Sequence, residues 1–344
     1  MENKIRITFG IIVLNGEPFT RYNLRALYPF AHQIIVVEGA CRAAEQVSSP
    51  NGHSKDGTLE TLRRFKQEED PDRKITIVTA EEEGHPDGFW PGEKNEMSQA
   101  YAKRATGNWL WQVDVDEFYQ PEDIAVVVGM LKANPCIRKV CFRVLTFWGG
   151  PDYVVDGVYL QRGGHNFHRL FAWDEGYRYT THRPPTVVDK EGKDLCNIKA
   201  VSASELAGNG VFMYHYELLF PKQVQEKCSY YAKQSPELKQ LNNWAKDCYF
   251  KLQHPYRVHM VYHYPSWLER YRGASPPAAL QMMEAIKLGK HPGVELRQTE
   301  DVNKLLKSPL YISGRSFLKI VSILYSAYFH ARVSLGRWKR CCFD

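Results

Sequence analysis

The chain has 344 residues, 44% hydrophobic and 24% charged, a balance that excludes a disordered or fibrous protein and leaves room for one large domain or two small ones. Its net charge of +6 is modest and scattered, with no basic run interleaved with aromatics, which argues against nucleic acid as a partner. The eight cysteines form no Cys-x-x-Cys pair and the N-terminal residues carry no apolar signal core, so the setting expected is reducing and cytoplasmic.

Residues 5–14 form a β-rich apolar run that Asn15-Gly16-Glu17-Pro18 breaks, and residues 19–28 then take helical spacing. A second apolar run over 33–37 ends in Glu38-Gly39. A polar segment, 41–55, leads to Asp56-Gly57-Thr58, after which Leu59, Leu62 and Phe65 fall at helical spacing. Residues 74–79 read as a third strand, and an acidic loop over 81–92 precedes a helix near 94–105. The fourth strand, 109–113, ends in Asp114-Val115-Asp116-Glu117-Phe118. Strand and helix alternate throughout this half, which predicts a parallel sheet.

Every unusual polar residue of that half stands at the C-terminal end of a strand: Asn15 and Glu17, Glu38, then Asp114 and Asp116. In an open α/β sheet that edge is where ligands bind. Carboxylate oxygens at one-residue spacing suit Mg2+ or Mn2+ rather than zinc, and such a metal can carry a diphosphate. Asp-x-Asp also occurs as a solvated turn or helix cap, and Asp56 could equally be capping the helix that follows it.

Taken together, Asn15-Gly-Glu17-Pro, Ser54-Lys-Asp56-Gly57-Thr58 and Val113-Asp114-Val115-Asp116-Glu117 resemble the family-2 glycosyltransferases of GT-A fold, especially members whose metal motif runs Asp-x-Asp-Glu-Phe. The resemblance covers residues 5–120 and continues more loosely to about 235. It implies an α/β, Rossmann-like, mostly parallel sheet flanked by helices, with a mixed α+β acceptor region and C-terminal helices. It further implies that Asn15, Glu17, Glu38, Asp56, Lys94, Asn95 and Asp114 contact a nucleotide-sugar donor. Asp114 and Asp116 would hold Mn2+ or Mg2+. The segment 41–53 stretches the distance from Glu38 to Asp56 beyond the family's usual spacing.

The second half is richer in aromatics and Gly-Gly pairs, with β-like pieces near 139–147, 167–173 and 211–217 and helical spacing over 221–234 and 237–251. His215, in a strand followed by a Pro-initiated, Lys-bearing helix, is similar to the C-terminal element in which a histidine completes the metal shell; His263 repeats the local Tyr-His-Tyr pattern and is the alternative. Inversion at the anomeric carbon requires a carboxylate to take the acceptor's proton. Asp174 and Glu175, after the apolar run 170–172, are the candidates.

The expected organisation is a transferase domain over 1–235, divided at 120 into nucleotide and acceptor halves, a helical extension over 236–308 and a basic amphipathic helix over 309–344. In that last segment Phe317, Ile320, Val321, Leu324 and Tyr328 share a stripe, followed by Arg332, Arg337, Lys339 and Arg340. The stripe is too short to span a bilayer; it suits either a terminal helix packed on the catalytic domain or peripheral contact with a membrane face. The expected activity is metal-dependent transfer of a sugar from a nucleotide-sugar to a hydroxyl of a glycan, lipid-linked or protein-linked acceptor. A nucleotidyltransferase would present a Gly-rich, basic phosphate loop where this chain has Asn15-Gly-Glu-Pro, and a non-catalytic carbohydrate-binding protein has no use for a row of acids at strand ends.

Overall fold

Seven residues rich in Ile, Val, Thr and Phe open the fold as β1 (Ile7–Val13), buried along nearly its whole length as a parallel strand covered on both faces must be. The computed structural model describes residues 4–92, 94–234 and 238–324. From β1 the chain passes through α1 (Phe19–Leu27), β2 (Ala31–Glu38), α2 (Thr58–Glu68), β3 (Ile75–Val78), α3 (Lys94–Ala102) and β4 (Trp109–Asp114). It continues through β5 (Glu117–Phe118), α4 (Pro121–Ala133), β6 (Lys139–Trp148), β7 (Tyr153–Gly157), β8 (Asn166–Ala172), β9 (Arg178–Thr181), β10 (Thr186–Val188) and β11 (Ala200–Val201). The remaining elements are α5 (Ala203–Gly208), β12 (Met213–Leu218), α6 (Pro221–Gln234), α7 (Leu241–Trp244), β13 (Ser266–Arg270), α8 (Pro277–Lys287) and α9 (Glu300–Lys307), with helix again over 309–324.

Two compact units share the chain. The first takes the described residues of Met1–Val144, Asn166–Glu217 and Ala274–Glu295; the second takes those of Leu145–His165, Leu218–Gly273 and Leu296–Asp344. The breaks expected at 235 and 308 therefore differ from those of the fold. Residues 274–295 return α8 to α1 in the first unit, where Tyr22 Oη and His291 Nε2 lie 3.1 Å apart.

In the first unit the strands run β3-β2-β1-β4-β8-β6. The first four are mutually parallel, while β8 is antiparallel to both β4 and β6. It is a mixed α/β fold with a mostly parallel sheet flanked by helices. Phe9, Trp111 and Phe142 pack in its core, Trp111 and Phe142 stacked with ring centroids 5.0 Å apart and Phe9 tilted against Trp111. α3 lies so close to β1 that a Cβ on Gly10 would come within 2.5 Å of the Tyr101 ring. That missing side chain lets the last turn of α3, which carries Tyr101, approach the sheet.

In the second unit the last residues of β6 pair antiparallel with β7, and β7 pairs antiparallel with β13. Its core gathers Trp148, Val224, Trp244, Tyr249 and Leu268. The 309–324 helix packs one face there. Tyr311 Oη accepts from Leu268 N at 2.8 Å, Lys319 pairs with Glu269 at 2.6 Å, and Ser322 is buried. Its other face leaves Leu310 at 85%, Phe317 at 65% and Leu324 at 64% exposure. Tyr328, Arg332, Arg337, Lys339 and Arg340 lie outside the described residues. Among the described residues no helix is long and apolar enough to cross a membrane.

Candidate functional site

Parallel register sets the strand ends side by side: Ile12 of β1 lies opposite Asp114 of β4, and Val13 opposite Glu38 of β2. The acids expected at one sheet edge are therefore at one edge. They fall into two groups with different surroundings.

Around the end of β1 the polar groups are tied to one another. Asn15, in the left-handed region at φ 54°, accepts from Lys55 N at 2.8 Å through Oδ1 and donates from Nδ2 to Val47 O at 2.6 Å. Asp56 accepts from Glu17 N at 2.9 Å and from Thr58 N at 3.1 Å, so it holds the first turn of α2 as well as the loop after β1. The fully buried Glu38 accepts from Ser54 N at 2.8 Å, and its other oxygen lies 2.7 Å from His53 Nδ1, whose second ring nitrogen is 3.1 Å from Glu81. The 41–53 segment thus delivers His53 to Glu38. Burial raises the Glu17 carboxyl above its ordinary range, against hydrogen bonds from Thr61 and Thr20.

The second group surrounds the end of β4. Glu117 is fully buried in a two-pronged pair with Arg169 of β8: Nε donates to one oxygen at 3.0 Å and a terminal nitrogen to the other. The same guanidinium donates to Asp114 at 3.1 Å. Burial pushes Glu117 up. At Asp114 burial acts in the same sense, but Arg169, Lys94 and Arg183 outweigh it and hold the carboxylate well below its usual range. Lys94 and Asn95 come from the first turn of α3. Asn95 Oδ1 accepts from His182 N at 2.7 Å, and Arg183, next along the β9–β10 hairpin, reaches 4.0 Å from Asp114.

Asp116 meets His215. β12 pairs with β5 so that His215 lies opposite Glu117, and His215 Nε2 stands 3.4 Å from Asp116 Oδ1. Glu217, one turn of the pleat further on, places Oε1 3.6 Å from the other ring nitrogen. Burial alone would lower this imidazole, but the Glu217 and Asp116 carboxylates raise it to about 9. The alternative histidine, His263, is exposed in the second unit.

Asp174 and Glu175 fall elsewhere. Because β8 is antiparallel to β4, Ala172 pairs with Trp109, and Trp173 N donates to Asn108 O at 3.0 Å. Both acids are exposed in the turn after β8, at the start of β4, while Asp114 is at its end. At about 3.3 Å per residue those ends stand about 17 Å apart. The expectation that these acids face the site is corrected by the direction of β8.

Arg169, His182, Arg183 and Glu217 belong to the site without having been singled out in the sequence. Arg169 carried a signal, since a cation within the apolar strand Asn-Phe-His-Arg-Leu-Phe-Ala needs a buried partner. His182 and Arg183 carried none.

A divalent metal is compatible with this edge in part. Two ligands at right angles around Mg2+, each about 2.1 Å from it, stand about 3 Å apart. Asp116 and His215 are 3.4 Å apart, and Glu217 behind the imidazole matches the way carboxylates orient ligating histidines. Glu117 and one oxygen of Asp114 are committed to Arg169, and among the described residues no trio of His, Cys, Asp and Glu gathers as a complete shell.

No protein-family model and no curated protein matches the chain. Similar solved structures include S. aureus TarS residues 1–349, at 13% identity over 42% of this chain and 36% of that one, with a TM-score of 0.29. They also include Mycobacterium tuberculosis glucosyl-3-phosphoglycerate synthase, at 16% identity and a TM-score of 0.30, in complexes with Mn2+ and UDP-glucose and with Mn2+, UDP and glucosyl-3-phosphoglycerate. The latter matches cover 42–43% of this chain and 45–46% of the synthase. The chain thus spans less than half of each of these proteins, and its fold class is read from its own strand order.

Proposed function

We propose that this chain is a glycosyltransferase that uses a divalent metal to move a sugar from a nucleotide-sugar to a hydroxyl acceptor. The observation that carries the reading is the single sheet edge at which Asp116 and His215 meet beside Asp114, with Lys94, Arg183 and Arg169 around it. Carboxylates next to cations at a strand edge suit a ligand that is both anionic and metal-bound, as a nucleoside diphosphate is. Strand order β3-β2-β1-β4, followed by an antiparallel strand, supports the GT-A resemblance of the motifs.

Asp116 and His215 would hold Mn2+ or Mg2+, with the remaining positions filled by phosphate oxygens and water; the metal would offset charge on the departing diphosphate. Lys94 and Arg183 add fixed positive charge on the same side as Asp114. Placed before the reaction begins, such charge lowers the barrier without reorganising during it. Arg169 has a different task. It neutralises Glu117 and fixes the Asp114 carboxylate in orientation. The resemblance implies inversion, which the anomeric configuration of the product checks. The exposed face of the 309–324 helix suits peripheral contact with a membrane.

The test is release of nucleoside diphosphate from a panel of nucleotide-sugars, with Mn2+ or EDTA, in the presence of simple glycosyl acceptors. Release with one donor family that stops in EDTA and in Asp116→Asn supports the reading. Absence of release and of binding across the whole panel overturns it.

A further inference from the structure

The β9–β10 hairpin carries a buried histidine whose bonding pattern settles which of its nitrogens bears a proton. His182 is 3% exposed, and its Nδ1 lies 2.7 Å from Ser98 Oγ. The single proton of Ser98 Oγ is already donated to Lys94 O, one turn back in α3, at 2.7 Å. A hydroxyl with its proton committed can only accept, so Nδ1 carries the proton and donates to Ser98. Nε2 is therefore a bare lone pair. It has no hydrogen-bond partner among the described residues.

The surroundings keep it that way. Burial lowers the imidazole to about 3, with Lys94, Arg183 and Arg169 acting in the same sense against Asp114. The ring stays neutral at any working pH and cannot serve as an anion donor. Its backbone is pinned by Asn95 Oδ1 at 2.7 Å, which holds the ring in place, and the next residue, Arg183, stands 4.0 Å from Asp114. A buried acceptor left without a donor is uncommon and calls for a ligand or water to satisfy it. No trio of His, Cys, Asp and Glu converges on it among the described residues, which argues for a hydroxyl rather than a cation.

We propose that His182 Nε2 accepts a hydrogen bond from one hydroxyl of the bound nucleotide-sugar, on the transferred sugar or on the ribose, and selects donors that carry that hydroxyl. The proposal rests on the glycosyltransferase reading and adds a binding residue outside the acid motif. Ser98 acts at one remove: it sets the tautomer and leaves Nε2 unprotonated. A site built to pair a hydroxyl discriminates strongly against the analogue lacking it, because its own buried group is then left unsatisfied.

The experiment crosses protein variants with donor analogues. Wild type, His182→Ala and Ser98→Ala, each checked for an unchanged thermal melt, are assayed for kcat/KM with the preferred nucleotide-sugar and with its single deoxy analogues on each ring. Binding of the nucleoside diphosphate alone, which has the ribose but no transferred sugar, is measured in parallel. One deoxy position is expected to lower wild-type kcat/KM by about tenfold or more and to have little further effect in either variant. If nucleoside diphosphate binding also falls in the variants the hydroxyl is on the ribose, and if it holds the hydroxyl is on the transferred sugar. A purely structural role for His182 would weaken all donors alike, and additive losses at every position would overturn the proposal while leaving the transferase reading intact. Absence of nucleotide-sugar binding by wild type would overturn both.

Discussion

Arg169 serves three acceptor oxygens in the interior of the first unit, and the two-pronged pair with Glu117 leaves neither charge access to water. Replacing it with leucine strands a buried carboxylate, a change that costs about 3–5 kcal/mol. Urea denaturation of Arg169→Leu should show that loss, and adding Glu117→Leu should recover much of it; an Arg169→Leu protein as stable as wild type would contradict the pairing. At His215 the two flanking carboxylates raise the imidazole to about 9. A histidine raised on folding contributes stability that is complete below its unfolded value of about 6.5 and is lost as pH rises through the folded value. In EDTA the His215 ring should therefore titrate near pH 9 by NMR, and Glu217→Gln should bring that midpoint down. A midpoint near 6.5 in wild type would remove the carboxylates from the account. Asp114, Asp116 and His215 could be singled out in the sequence because each stands in or at the end of an apolar strand, where a polar residue is conspicuous. His182 could not, because its place depends on a hairpin and on a serine 84 residues earlier in the chain.

α3 supplies Lys94, Asn95 and Ser98, and its distance from the sheet is set by the absence of a side chain at Gly10. Alanine there would put a Cβ 2.5 Å from the Tyr101 ring. Overpacking of this kind costs about 1–3 kcal/mol. Gly10→Ala should lower the urea midpoint and weaken nucleoside diphosphate binding together, since the helix pushed away at Tyr101 also carries Lys94 and Asn95 at its other end; undiminished stability would show that α3 adjusts freely. The four parallel strands were readable as near-continuous apolar runs, two of them, β2 and β4, ending in acids. The direction of β8 was not, because an apolar run reads the same whichever way it pairs. That ambiguity is what misplaced Asp174 and Glu175, whose strand brings Arg169 toward the site and carries them away from it.

For the chain as a whole, sequence order and compact units part company, since each unit gathers three separate stretches and no local composition marks the crossings. The C-terminal stripe was legible as amphipathic, yet its helix is neither wholly packed nor wholly free: Tyr311 is 3% exposed while Leu310 is 85% exposed. Replacing Leu310, Phe317, Ile320 and Leu324 with glutamine should abolish co-sedimentation with anionic liposomes and spare the melting temperature, whereas Tyr311→Ala should lower that temperature. Equal liposome binding by wild type and the fourfold variant would remove the membrane proposal. The central claim, a metal-dependent nucleotide site at the C-terminal edge of β1, β2 and β4, is tested most directly by calorimetric titration of nucleoside diphosphates into wild type and Asp116→Asn, with Mn2+ and with EDTA. The account predicts saturable binding of at least one nucleotide to wild type in Mn2+, and its loss in EDTA and in the folded Asp116→Asn variant. Binding of equal strength under all of these conditions, or no binding under any, would contradict it.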